Sequence, residues 1–218
     1  MKLNTNSNAY IIIYSTILVL IVAFLLAFVS SKLKDQQDKN VALDTRKQIL
    51  YSLNLRDTIA PMADDQIDAL YEQVVTKTDS VADEKGKKKP YLYYATVNGE
   101  QKYVLPLKGQ GMWGGISCFL AIDSDKNTVF GAYFNHESET AGLGAEIKDN
   151  ADWQKKFQGK TLFVQGDTAS TIALSVEKNV NNETTVDAVT GATVTSTAVS
   201  KMLQEQLTKY MDFLNDKE

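Results

Sequence analysis

Histidine and cysteine are almost missing from this 218-residue chain, which has one of each, His136 and Cys118. A single cysteine excludes an intrachain disulfide and any multi-cysteine zinc or iron–sulfur site. It leaves the compartment open, because cysteine-poor domains occur on both sides of membranes. A single histidine excludes haem ligation by a histidine pair and the HExxH zinc site within the chain. A Ser-His-Asp arrangement would have to use His136, and nothing points to a serine partner. A basic surplus is also lacking: 23 Lys and Arg stand against 27 Asp and Glu, net −4, so no nucleic-acid partner is expected. There is no Walker phosphate loop and no G-x-S-x-G elbow. What remains is enough chain for one membrane anchor and one medium-sized domain.

The anchor is plain. From Ala9 to Val29 the sequence reads AYIIIYSTILVLIVAFLLAFV, without a charge. A helix needs about 20 such residues to cross the hydrocarbon core. Lys2, Asn4, Asn6 and Asn8 precede the run; Ser30, Ser31, Lys32 and Lys34 follow it. The run is longer than a usual signal-peptide core and no A-x-A cleavage site follows, so residues 1–34 read as an uncleaved anchor. Lys32, Lys34, Lys39, Arg46 and Lys47 beyond the span outnumber Lys2 before it. That count favours a cytoplasmic domain, although long domains translocate despite such charge.

Residues 35–90 read as a helical linker region. Asp44–Leu55 places Ile49, Leu50 and Leu53 on one face, and a second helix runs from about Asp64 to Val75 behind the acidic start at Ala63–Asp65. Asp79–Pro90, with Gly86 and Lys87–Lys89, reads as a charged surface loop. Strands are expected at Tyr91–Val97 and Lys102–Leu107 about the hairpin signal Asn98-Gly99. Two more are expected at Ile116–Ile122 and Thr128–Phe134, then at Leu162–Val164 and Thr171–Val176, with a helical turn at Asp152–Phe157. From about Thr195 the spacing of Val199, Met202, Leu203, Leu207, Tyr210, Met211 and Leu214 makes an amphipathic helix. Residues 91–218 therefore form an α+β domain, an antiparallel sheet with a C-terminal helix, behind one transmembrane helix.

Gly109-Gln-Gly-Met-Trp-Gly114 matches the G-x-G-x-x-G dinucleotide pattern. That pattern needs a helix after it, and Ile116–Ile122 reads as a strand, so a bend between strands is the better reading. Cys118 sits in an apolar strand and reads as a buried small residue. Trp113 and Trp153 read as packing residues, with an approach to a bound ring as the alternative. His136, Glu137 and Glu139 are too few and too adjacent for a metal site, and none is expected.

Asp187-Ala-Val-Thr-Gly-Ala-Thr193 lies just before the last helix. By residue type it is a loop with a cap at Thr195, Ser196 or Thr197. A helix amino terminus also suits a phosphate, and Gly191 and Ala192 leave little bulk beside Thr193. The run D-x-x-T-G-A-T resembles the modification motif of the FMN-binding domain family. Further likeness lies in Gly111-Met-Trp-Gly-Gly-Ile-Ser-Cys-Phe-Leu-Ala, in His136-Glu-Ser-Glu-Thr-Ala-Gly-Leu-Gly144, and in Trp153 with Phe157-Gln-Gly-Lys160. Ala141 stands where that family commonly has proline, which should loosen the loop slightly.

The resemblance implies a covalent FMN, joined by a phosphoester to Thr193 by a flavin transferase. It implies that Glu139, Thr140, Gly142, Leu143 and Gly144 shape the flavin pocket. Asp187, Thr190, Gly191 and Ala192 are carried over as the rest of the motif. The implied role is an electron-carrying subunit of a membrane-bound sodium-translocating NADH:quinone reductase, working with its other subunits. The equivalent flavin subunit of an Rnf-type ferredoxin:NAD complex is the alternative. The implied place is the bacterial inner membrane, single-pass, with the flavin domain on the periplasmic side. A cofactor-free anchored binding or assembly protein is the reading from a different class.

Overall fold

The computed structural model describes residues 7–82, 88–164 and 171–216. Lys2 and the middle of the charged stretch Asp79–Pro90 (83–87) lie outside the described residues. The chain divides into two compact units, Met1–Asp44 and Thr45–Glu218. From Asn8 onward the residues of the first unit belong to helix α1, Asn8–Ser52, which includes a segment long and apolar enough to cross a membrane. Ile11 to Val29 leave their large apolar side chains exposed, as a lipid-facing helix would.

The second unit is built on a five-stranded antiparallel sheet in which each strand lies beside its neighbour in sequence. The strands are β1 (Val75–Ala82), β2 (Lys88–Val97), β3 (Glu100–Gln110), β4 (Gly115–Asp123) and β5 (Val129–His136). Alternation decides what each face buries. Tyr103, Leu105 and Leu107 of β3, with Cys118 and Leu120 of β4 and Phe134 of β5, form the core with Val199, Met202, Leu203 and Leu207 of helix α6. That helix spans Thr193–Leu207 and is followed by a 3₁₀ turn. Cys118 is buried, and burial pushes its thiol pKa well above the ordinary range. The opposite face buries Tyr93, Ala95, Val104 and Ala121. Ile49 and Leu50 at the end of α1, Leu53 in the turn after it, Ile59 of α2 (Arg56–Ile59), and Ile67 and Val74 of α3 (Asp64–Val74) are buried as well. Tyr51 meets Tyr133 of β5 with ring centroids 5.2 Å apart.

Several expectations need correction. Asp79–Pro90 is not simply a loop, since β1 and β2 extend into it from both sides and pair as far as Ala82 with Lys88. The charged side chains of Lys77 and Asp79 sit on β1, the edge of the sheet, where charge is well tolerated. Leu162–Val164 forms no strand; an isolated bridge joins Thr128 to Thr161, and the Leu162 N–H donates to the Asn127 carbonyl at 2.9 Å. Of Thr171–Val176 only the end is a strand, β6 (Ser175–Glu177), which pairs in parallel with β7 (Thr185–Asp187). Among the described residues between β5 and β6 lie two short helices, α4 (Glu146–Asp149) and α5 (Ala151–Lys155). In α5, Trp153 is buried against Phe134 and Phe157. The last helical piece, α7, is Met211–Asn215.

Candidate functional site

Sheet register creates one end of the site. Gln110 pairs with Gly115, and the Gly111 N–H donates to the Gly114 carbonyl at 2.8 Å, so residues 111–114 form a tight turn. The G-x-G-x-x-G pattern is therefore a bend between strands, as its sequence context predicts. Ile116 pairs with His136, which brings the end of β5 beside this turn. The chain leaving β5 then folds onto it. Glu137 accepts the Gly115 N–H at 3.0 Å, and the Ser138 hydroxyl donates to the Trp113 carbonyl at 3.0 Å. His136 Nδ1 accepts the Glu139 N–H at 3.2 Å, so this histidine holds a turn.

The other end is the start of α6. After β7, the Asp187 carbonyl accepts the Trp153 indole N–H at 2.9 Å, and its Oδ1 accepts the Asn179 N–H at 2.7 Å. Gly191 has φ +80°, the left-handed region, and turns the chain into the helix. The helix begins at Thr193 with Ala192 at the cap and no side chain capping it. The expected cap residues are thus displaced into the first turns. There the Thr195 hydroxyl donates to Glu139 Oε2 at 2.6 Å and Ser196 Oγ accepts the Val189 N–H at 3.1 Å. The Thr197 hydroxyl donates back to the Thr193 carbonyl at 2.9 Å. The early start leaves the first N–H groups of α6 without an intrahelical or side-chain cap acceptor beside an exposed Thr193.

Glu139 joins the two ends. It is 7 % exposed, and its Oε1 accepts the Trp113 N–H at 2.9 Å while Oε2 takes the Thr195 hydroxyl. Burial alone would raise its carboxyl pKa. The hydrogen bonds from Thr195 and from the backbone of Met112, Trp113 and Gly114 outweigh burial and hold it below the ordinary range, so it is ionised near neutrality.

Between the ends lies a cleft of about 290 Å³. Seven of the residues singled out from sequence line it: Glu139, Thr140, Leu143, Gly144, Gly191, Ala192 and Thr193. Gly142, Asp187 and Thr190 do not; they line a second, more polar recess with Asp152, Trp153 and Lys156. Met112, Val194 and Thr195 also line the cleft; Met112 lies in the family-like segment and Thr195 is a cap candidate, whereas no local signal marks Val194. Trp113 is not a packing residue: it is 63 % exposed on the cleft wall, whereas Trp153 is buried at 3 %. Beyond α1, the exposed large apolar side chains among the described residues are Met112, Trp113, Leu143, Val164 and Val194, and four of the five line this cleft.

Such a cleft fits an FMN in kind. Trp113, Met112, Leu143 and Val194 offer apolar walls to a planar ring, and the uncapped start of α6 suits a phosphate at Thr193. Small residues keep the space open. A Cβ on Gly144 would sit 2.5 Å from both Glu139 Oε2 and Thr195 Oγ1. Gly144→Ala is therefore expected to lower the unfolding free energy by about 1–3 kcal/mol through overpacking. A urea midpoint equal to wild type would show that the bond between Glu139 and Thr195 yields without cost.

Residues 111–208 match the model of the FMN-binding domain family. They run from the β3–β4 turn through α6 and so contain both ends of the cleft. The C subunit of the Na(+)-translocating NADH-quinone reductase of Haemophilus ducreyi is 31 % identical over 91 % of this chain and 89 % of that protein. The protein of the same name from Chlamydia trachomatis is 36 % identical, over 52 % of this chain and only 40 % of its own length. The crystal structure of the C subunit from Parabacteroides distasonis superposes with a TM-score of 0.72 at 32 % identity, covering 85 % of this chain and 98 % of that one. With the fold, the FMN-binding segment and the match along most of its length in agreement, the chain belongs to the family of Na(+)-translocating NADH-quinone reductase C subunits.

Proposed function

We propose that this chain is an electron-carrying subunit of a membrane-bound sodium-translocating NADH:quinone reductase, and that it holds FMN covalently through a phosphoester to Thr193. The observation that carries this reading is the gathering of exposed apolar side chains around an exposed threonine at an uncapped helix start. The relatives named above are subunits of that reductase, which favours it over an Rnf-type complex. The other subunits are the working partners, as the relatives' place as subunits of that reductase supports. A flavin transferase installs the cofactor. α1 fixes the chain in the bacterial inner membrane, with the flavin domain on the periplasmic side.

When bound, FMN supplies the electron chemistry. The protein supplies place and surroundings. The free N–H groups at the start of α6 and the helix dipole favour the negative charge of a phosphate on Thr193. Trp113, Met112, Leu143 and Val194 limit water around the ring. Glu139 ties the β3–β4 turn to α6 and so keeps the walls at a fixed separation. A covalent tether prevents loss of the cofactor between electron transfers.

The test is to express the full chain with and without a flavin transferase and to inspect the denatured band under ultraviolet light. The expected result is flavin fluorescence only with the transferase. A dark band, with the transferase active on a control protein, sinks the covalent-flavin reading and favours a cofactor-free anchored protein.

A further inference from the structure

Among the residues that line the cleft, Glu139 alone carries a charge. Its two oxygens are met by neutral donors, the Trp113 N–H and the Thr195 hydroxyl, and no ion pair with it is present among the described residues. Neutral donors stabilise a carboxylate without cancelling its net charge. Glu139 is 93 % removed from solvent and the large side chains of the wall, Met112, Trp113, Leu143 and Val194, are apolar, so water screens that charge poorly toward the cleft. A structural role alone, joining Trp113 to Thr195, could be filled by a neutral amide. The choice of an ionised group in this position therefore has an electrostatic consequence for whatever the cleft holds.

We propose that Glu139 sets the reduction potential of the flavin in this cleft, its carboxylate making electron gain harder. The inference rests on the FMN reading above. Two electrons and one proton taken up by an isoalloxazine leave one net negative charge, and a fixed negative charge lining the same cleft opposes that state. The start of α6 acts in the opposite sense, since its dipole favours negative charge. The measured potential is the balance of the two, and Glu139 is the part that a single isosteric change removes. Glutamine keeps both links: its amide oxygen accepts the Trp113 N–H, and its amide N–H₂ donates to the Thr195 hydroxyl oxygen. Glu139 is thus a positioning residue for the walls and a tuning residue for the cofactor.

The experiment is an anaerobic dithionite titration, with a reference dye, of the full chain in detergent after loading by a flavin transferase. Visible absorbance follows only the loaded fraction, so partial loading does not blur the value. Glu139→Gln is expected to raise the two-electron potential by at least a tenfold change in the reduction equilibrium, which is about 30 mV. Thr195→Val removes one hydrogen bond and keeps the charge, so its potential must stay level or fall. Equal potentials for wild type and Glu139→Gln overturn the assignment while leaving the flavin reading intact. A rise in Thr195→Val as large as in Glu139→Gln also overturns it, because wall geometry would then be the cause. Should Glu139→Gln not load, Thr195→Val decides alone, a potential level with wild type or below it supporting the assignment and a rise ending it. A wild-type chain that takes no flavin removes both readings.

Discussion

Thr193→Ala, co-expressed with a flavin transferase, is expected to give a denatured band with no flavin fluorescence, a complete loss against a bright wild type. Three hydroxyls line the cleft: Thr140, Thr193 and Thr195. Thr195 is 3 % exposed and its hydroxyl is committed to Glu139, so it is neither accessible nor free. Thr140 and Thr193 are both exposed, and only Thr193 stands in the first turn of α6, where helix N–H groups favour a phosphate. Thr140→Ala should therefore stay as bright as wild type. If Thr140→Ala were dark and Thr193→Ala bright, the attachment would belong to the loop after β5 instead. If both stayed bright, neither cleft threonine would carry the bond.

Trp153→Ala is expected to cost about 3–5 kcal/mol, the range for deleting a large buried aromatic. Its ring is 3 % exposed and packs with centroids 5.2 Å from both Phe134 and Phe157. For a domain of this size each kcal/mol lowers Tm by roughly 2–4 °C, so thermal denaturation will see the change easily. The indole also donates to the Asp187 carbonyl, which begins the loop leading to Thr193. Trp153→Phe keeps most of the ring and loses this bond, at a cost of about 1–3 kcal/mol for the unpaired carbonyl. The phenylalanine variant should fold and yet accept flavin more slowly in a transferase time course. Equal rates for Trp153→Phe and wild type would show that the indole bond does not hold the loop in its reactive form.

How much of this is legible in the sequence depends on whether the cause is local. Helix α3 can be read almost to the residue, because its acidic start and apolar spacing are contained within it. The β2–β3 hairpin is likewise legible, with Asn98 at φ 52° and Gly99 at φ 81° as a two-residue turn demands. β1 is hidden because Lys77 and Asp79 look like a solvated loop until an edge strand gives them a reason to be there. β6 and β7 are three residues each and pair in parallel across an intervening loop, which no window of sequence reveals. At the site, the motif ending at Thr193 can be read along the chain. Met112 and Trp113 stand in a family-like segment, but their place opposite Thr193 cannot be read there, since it depends on a turn meeting a distant helix. Gly109 makes the point: a Cβ there would lie 2.8 Å from the Met202 Cβ, so this glycine serves the packing of α6 on β3 and not a phosphate.

The meander also sorts its turns. Because successive hairpins reverse direction, the β3–β4 turn sits at the cleft end of the sheet and the Asn98-Gly99 turn at the other. Asn98, Gly99 and Glu100 are exposed, and a Cβ built on Gly99 meets nothing within 4 Å. Exposed hairpin tips of this kind accept foreign segments with little effect on the scaffold. This tip is therefore a natural point of insertion for an epitope or a fluorophore-bearing peptide, giving a handle on the domain that stands apart from the chemistry it carries.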